Sequence, residues 1–287
     1  MTIAEALDWA TRALGSAPTA AADARLLLQH VLQRPRSYLI AHGAALLEAA
    51  ERAQFEALVA RARQQEPVPY LTGSAPFYGR EFTVTPDVLI PRPETELLVE
   101  AALQWARSRP HACIVDVGTG SGCIAVTLAR QLEDATIIAT DVSPAALDIA
   151  SRNAARHGVT ARIHFREGSL LDPVPETPDL IVSNLPYIGD EEWTELDGGV
   201  KWYEPAVALR GGASGLELVG RLLQQARLRL RRGGALFLEI GWRQEAAAQQ
   251  LAREHFPQAH IELRKDYAGH DRLLVVQDHE DSLPPSD

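Results

Sequence analysis

Only two cysteines occur in the 287 residues, Cys113 and Cys123. Two thiols cannot build a disulfide framework or a four-cysteine zinc site. Basic charge is scarce as well, with 28 Lys+Arg against 38 Asp+Glu and a formal net charge of −10. A nucleic-acid groove calls for a net basic patch, so direct nucleic-acid binding is not expected. No apolar run approaches the roughly 18 residues that a membrane span needs. The opening residues, Met1-Thr2-Ile3-Ala4-Glu5-Ala6, lack the basic start and apolar core of a signal peptide. The nine histidines, His42, His164 and His270 among them, show no metal-ligand spacing. These absences point to a metal-free, non-membrane protein of a reducing cytoplasm. Apolar content is ample, with 46% hydrophobic and 23% charged residues, the proportions of a globular fold with a real core.

Residues 1–66 are expected to form a small helical bundle. Thr2-Ile3-Ala4-Glu5 has the form of a capping box, with Ile3, Ala6, Leu7, Ala10 and Leu14 on one helix face. A second helix follows Pro18, and a third is expected from about Leu46 to Arg63. Residues 67–93 are rich in Pro and Gly and read as a linker, with Phe82-Thr83-Val84 and Val88-Leu89-Ile90 as the two strands of a hairpin. From 94 to 280 strands and helices alternate, which predicts an α/β domain with a mostly parallel sheet covered on both faces. The tail, 281–287, is expected to be disordered.

Three segments carry chemistry. Asp116-Val117-Gly118-Thr119-Gly120-Ser121-Gly122-Cys123 joins a strand to a helix, where glycines permit a sharp turn and close ligand approach. The helix start offers free N–H groups to an anion. The pattern is G-x-G-x-G rather than the dinucleotide G-x-G-x-x-G, which favours S-adenosylmethionine, whose anionic group is a carboxylate. Asp141 ends the next strand nineteen residues after Gly122, close to the roughly 20-residue spacing at which an acid reaches a ribose hydroxyl pair. The third segment is Asn184-Leu185-Pro186-Tyr187, at the carboxyl end of a further strand. An Asn side-chain carbonyl with a neighbouring backbone carbonyl can accept both hydrogens of one NH2 group. Cys113 and Cys123 read as inert packing, and Arg227, Arg229, Arg231 and Arg232 as the solvated end of a helix.

Together with Leu89-Ile90-Pro91-Arg92-Pro93-Glu94-Thr95-Glu96 and Lys265-Asp266-Tyr267-Ala268-Gly269-His270-Asp271-Arg272, these segments resemble the HemK/PrmC family of release factor glutamine methyltransferases. The resemblance covers nearly the whole chain. It implies a Rossmann-like, seven-stranded class I methyltransferase domain behind a small N-terminal helical domain. It implies S-adenosyl-L-methionine as methyl donor and no metal. It also implies class 1 peptide chain release factors as protein substrate, methylated on the glutamine amide of their Gly-Gly-Gln motif, with residues 1–66 recognising that substrate. Carried over residue by residue, Asp116, Gly118, Thr119, Gly120, Ser121, Gly122, Asp141, Ser169, Leu170 and Asn184 would hold the donor. Asn184, Leu185, Pro186 and Tyr187 would hold the amide, with the Tyr187 ring against its plane. Arg92, Glu94 and Glu96 would cap a helix and shape the wall of the donor pocket.

Leu185 stands where the family usually has proline. The expected acceptor there is a backbone carbonyl, which leucine also supplies, and Pro186 biases Leu185 towards an extended conformation. Asn-Leu-Pro-Tyr also resembles the motif of ribosomal RNA adenine dimethyltransferases, so methylation of an adenine amino group in RNA or DNA is the alternative. A non-catalytic regulator that binds S-adenosylmethionine is a third reading.

Overall fold

The computed structural model describes residues 1–278, so the tail at 281–287 lies outside the described residues. The chain divides into two compact units, residues 1–74 with 197–203, and residues 75–196 with 204 onward. The first unit contains α1 (Ile3–Ala13), α2 (Ala20–Leu32), α3 (Arg36–Ala41), α4 (Ala49–Ala62) and α5 (Val68–Thr72). Thr2 and Glu5 do form the reciprocal capping box, the Glu5 carboxylate accepting from Thr2 N at 2.8 Å. Ile3, Leu27, Leu28, Phe55 and Val59 meet in its apolar core. The expected helix from Leu46 begins later, at Ala49. Leu46 pairs with Thr2 in an isolated bridge, and Leu47 N donates to the Met1 carbonyl, so both residues are held in extended chain. The short helices α3 and α5 carry too few residues to display a helical period in the sequence.

The second unit is a seven-stranded sheet with helices on both faces. It contains α6 (Glu96–Ala106), β3 (Cys113–Val117), α7 (Cys123–Gln131), β4 (Thr136–Asp141), α8 (Pro144–Arg156), β5 (Ile163–Glu167) and β6 (Leu180–Ser183). After these come α9 (Asp190–Glu195), α11 (Glu217–Arg229), β7 (Ala235–Glu239), α12 (Glu245–His255), β8 (His260–Lys265) and β9 (Asp271–Gln277), while α10 (Gly198–Tyr203) is counted with the helical unit. The strand order is β5-β4-β3-β6-β7-β9-β8, parallel apart from β9. Alternate residues of one strand feed opposite faces, as a period of two requires. Ile114, Ile137 and Val182 enter one apolar layer with α6 and α7, whereas Val115, Ile138 and Ile181 enter the other with α11 and α12. The chain leaves β3 towards β4 on one side and reaches β6 on the other. A crevice therefore opens between the carboxyl ends of β3 and β6, where open parallel sheets take their ligands.

The hairpin preceding the sheet differs from expectation. Its strands are β1 (Ser74–Phe77) and β2 (Arg80–Thr83), and Val88-Leu89-Ile90 is not a strand. Val88 N closes a turn on the Thr85 carbonyl, and Ile90 N donates to the buried Glu204 carboxylate at 3.2 Å. That amide is thereby unavailable to a ladder. Asn153 on α8 joins the hairpin to the glycine loop. Its Nδ2 donates to the carbonyls of Thr83 (2.9 Å) and Ser121 (2.8 Å), while its Oδ1 accepts from Thr83 N (2.8 Å). Asn153 is fully buried, and an alanine there strands three backbone groups. Asn153→Ala is expected to lower stability by about 2–4 kcal/mol, measured as a shift of the urea unfolding midpoint.

Candidate active site

The crevice holds a cavity of about 530 Å³, within the roughly 300–1,000 Å³ usual for small-molecule sites. Three loops at the carboxyl ends of strands build it. The first follows β3. Gly118 N and Thr119 N both donate to the Thr140 carbonyl at 2.9 Å, so the end of β4 anchors the turn. Gly120 has φ +53, with open space where a Cβ would stand, so its backbone is presented bare to the cavity. Gly122 caps α7 at φ +78, and a Cβ there would lie 2.9 Å from the Ala150 Cβ.

The second loop follows β4. Asp141 Oδ2 accepts from Gly120 N and Oδ1 from Ser143 N, both at 2.9 Å. The carboxylate is thus fixed across the mouth of the glycine turn, and each oxygen keeps a further lone pair. Burial pushes its pKa up, against the pull of the Ser143, Gly120 and Val142 amides. Beyond β5, Ser169 and Leu170 reach the same cavity. Leu170 adopts φ +51, and its carbonyl accepts from the Thr140 hydroxyl at 3.0 Å.

The third loop follows β6, whose Ser183 lies opposite Val117 of β3 and donates its hydroxyl to the Val117 carbonyl at 2.6 Å. This pairing sets Asn184 beside the glycine loop. The Asn184 Nδ2 donates to Thr95 Oγ1 at 3.0 Å, and the Thr95 hydroxyl donates to Glu239 Oε2 at 2.7 Å. Among the described residues no donor reaches Asn184 Oδ1 or the Leu185 carbonyl. The Leu185 side chain packs over the loop, 3.3 Å from where a Cβ on Gly118 would stand. The Tyr187 carbonyl is clamped by Gln244 Nε2 at 2.8 Å.

The structure brings Gly118, Thr119, Gly120, Ser121, Asp141, Ser169, Leu170, Asn184, Leu185 and Pro186 into one cavity wall. Asp116, Gly122 and Tyr187 are not in that wall. Asp116 stands behind it, fully buried, its Oδ2 accepting from the Thr119 hydroxyl (2.6 Å) and Ala125 N (3.1 Å), while Oδ1 has no partner among the described residues. The Tyr187 phenol is kept protonated by burial and by the Glu239 charge. Of the three charged residues expected to shape the wall, Arg92 lines the cavity and pairs with buried Glu204. Glu94 is exposed, and Glu96 instead accepts from Tyr78 N at 2.8 Å. Cys123 also lines the cavity, with its thiol pushed up to about 12 by burial, and burial likewise takes Cys113 up to about 11. Thr95, Val142, Val207 and Glu239 were not singled out by sequence reasoning. Val142 had a signal, an apolar residue next to the strand-end acid, and it is half exposed at the cavity wall.

Among the described residues, no group of three or more His, Cys, Asp or Glu side chains could hold a metal ion, and no helix is long and apolar enough to cross a membrane. Burial pushes the Asp116 carboxyl up to about 7, partly offset by its bonds to Thr119 and Ala125. The folded state thus binds this proton more tightly than the unfolded chain. Its contribution to stability is present at low pH and is lost as pH rises through about 7. Asparagine cannot ionise, so Asp116→Asn should gain stability relative to the parent protein between about pH 4 and 7 and level off above, at about 1.4 kcal/mol per pKa unit. Urea unfolding of both proteins across that range is the measurement.

Comparison with known proteins agrees with this geometry. Residues 5–73 match the PrmC N-terminal domain family, and residues 93–196 match the methyltransferase small domain family. The chain is 41% identical to the release factor glutamine methyltransferase of Koribacter versatilis over 88% of this chain and 91% of that one. It is 40% identical to the release factor glutamine methyltransferase of Bacillus subtilis over 97% of this chain and 98% of that one. Among solved structures, a Pyrococcus furiosus methyltransferase superposes with a TM-score of 0.53 at 18% identity, covering 71% of this chain and 91% of its own. A Thermus thermophilus 16S rRNA methyltransferase, solved with S-adenosylmethionine and guanosine, gives 0.51 at 19% identity over 72% of this chain and 50% of its own. These two show a shared fold. With relatives matching at about two-fifths identity along almost their whole length, the chain belongs to the release factor glutamine methyltransferase family.

Proposed function

We propose that this chain transfers the methyl group of S-adenosyl-L-methionine to the side-chain amide nitrogen of the glutamine in the Gly-Gly-Gln motif of class 1 peptide chain release factors, in the cytoplasm. The observation that carries this reading is the placement of Asn184. Its side-chain carbonyl is free of donors among the described residues, and it lines the same cavity as the glycine loop and Asp141.

The cavity residues fit the donor. The remaining lone pairs of Asp141 suit a pair of ribose hydroxyls, the open backbone at Gly120 lets the donor come close, and Ser169 with Leu170 would flank the adenine. S-adenosylmethionine supplies, when bound, a methyl group on an electrophilic sulfonium. The primary amide is a poor nucleophile because its lone pair is delocalised, so the protein's task is alignment. Asn184 Oδ1 and the Leu185 carbonyl accept the two amide hydrogens. They aim the nitrogen and stabilise the positive charge that develops on it. Pro186 and Tyr187 hold the loop that carries these acceptors, through the Gln244 clamp on the Tyr187 carbonyl. Asp116 and Gly122 keep the shape of the glycine loop from behind. The helical unit, which contains residues 1–66, recognises the release factor.

Incubation with labelled S-adenosylmethionine tests the reading. Label should appear on the glutamine of a release factor and not on adenine-rich RNA, and the reverse outcome selects the adenine alternative. Asp141→Ala should weaken donor binding by about 1–3 kcal/mol in calorimetry, since a charge-assisted bond pair is lost. Asn184→Ala should slow single-turnover methyl transfer by about a hundredfold or more with donor saturating. Leu185→Pro, which keeps the carbonyl, should stay within about a few-fold of the parent rate. Unchanged donor affinity in the first variant, or a near-normal rate in the second, contradicts the assignment.

A further inference from the structure

We infer that Glu239 is a positioning residue which, through the Thr95 hydroxyl, dictates which end of the Asn184 amide faces the reacting nitrogen. The inference rests on the methyl-transfer reading above and adds to it the device that fixes the polarity of its acceptor.

Thr95 and Glu239 are each about 2% exposed, so their polar atoms find partners within the protein. An ionised carboxylate only accepts. The single Thr95 proton is therefore committed to Glu239 Oε2 at 2.7 Å. The Thr95 oxygen can then only accept, and the neighbouring group that meets it at 3.0 Å must be the Asn184 Nδ2. With Nδ2 held inward, Oδ1 is turned outward as an acceptor. An asparagine rotated by half a turn about its last bond has nearly the same shape but presents NH2, which repels an incoming amide NH2. Shape alone does not choose between these two arrangements, whereas the charge on Glu239 does.

The same chain of bonds reverses when Glu239 gains a proton. The acid can then donate to Thr95, which is free to donate to Asn184 Oδ1. Burial pushes the Glu239 carboxyl up to about 7, the Thr95 bond and the Arg272 and Arg92 charges pull it down, and Glu94 raises it. The Tyr187 phenol and the Cys123 thiol also face it and stay neutral through this range. These groups come from β9, the segment before α6, the start of α7 and the loop after β6, so the carboxyl is surrounded by the elements that shape the acceptor loop. Methyl transfer should accordingly decline below about pH 7 as Glu239 protonates.

The chain contains only two asparagines, Asn153 and Asn184, so asparagine-selective 15N labelling gives two side-chain NH2 pairs to observe. The experiment compares the parent protein with Glu239→Gln, Thr95→Val and Thr95→Ser. Single-turnover transfer to release factor at saturating donor is followed from about pH 5.5 to 9, alongside the Asn184 NH2 signals and donor affinity by calorimetry. The parent rate should fall on the acid side with a midpoint near pH 7, and the Asn184 signals should shift with the same midpoint. Glu239→Gln should lose about tenfold or more in rate, the acid limb and the titration of the Asn184 signals, with donor affinity kept. Thr95→Val breaks the relay without touching the carboxylate and should do the same. Thr95→Ser restores the hydroxyl and should recover most of what the valine loses. If Glu239→Gln fails to fold, Thr95→Val carries the decision. An acid limb and Asn184 titration that survive in the folded variants overturn the inference. A parent protein that methylates no release factor overturns the proposed function instead, while the Asn184 signals still decide the role of Glu239.

Discussion

The site depends on the parallel pairing of β3 with β6. Val117 stands opposite Ser183, and the Ser183 hydroxyl closes on the Val117 carbonyl at 2.6 Å. That register makes the glycine turn and the Asn184 loop leave the sheet side by side at the point where strand order reverses. A slip of one residue would send every side chain of β6 to the opposite face and carry Asn184 away from the cavity. Both apolar layers lock the register, because Val182 packs on one face and Ile181 on the other. Packing energy spent on the core is therefore also what holds the glycine loop and the Asn184 loop side by side in one cavity wall.

Around this frame the polar groups divide into two kinds. Asp141 faces the cavity with its carboxylate already fixed by the Gly120 and Ser143 amides. Asp116, Asn153, Glu239 and Glu204 lie behind the wall, Thr95 lies in it, and together they shape it. Each spends its hydrogen bonds on backbone or on another side chain of the site, and each is at most 5% exposed. Buried carboxylates are costly unless they are bonded, and here the bonds go to the loops that define the cavity. The elevated pKa values of Asp116 and Glu239 are the electrostatic mark of that arrangement.

Much of this was legible from the sequence because it is local. The glycine run, Asp141 at a strand end and Asn184 before a proline are each written within a few residues, and the strand–helix alternation placed them at one edge of a sheet. The supporting shell was not legible because its partners are remote. Thr95 bonds Glu239 across 144 positions, Ile90 meets Glu204 across 114, and Asn153 reaches Thr83 across 70. Nothing in the local pattern of Val88-Leu89-Ile90 reveals that a distant carboxylate will take the Ile90 amide, so an apolar run reads there as a strand. The surroundings of Tyr187 are equally remote in sequence, since burial raises its phenol and the charge of Glu239 adds to the shift.

The central claim is that one crevice holds donor and acceptor together, with Asn184 presenting oxygen to the amide. A crystal structure with S-adenosylhomocysteine and a Gly-Gly-Gln peptide tests it most directly. Ribose hydroxyls are expected on Asp141 and the glutamine NH2 between Asn184 Oδ1 and the Leu185 carbonyl, with Nδ2 still on Thr95. A glutamine seated elsewhere, or an Asn184 whose Nδ2 points at the substrate, would contradict it.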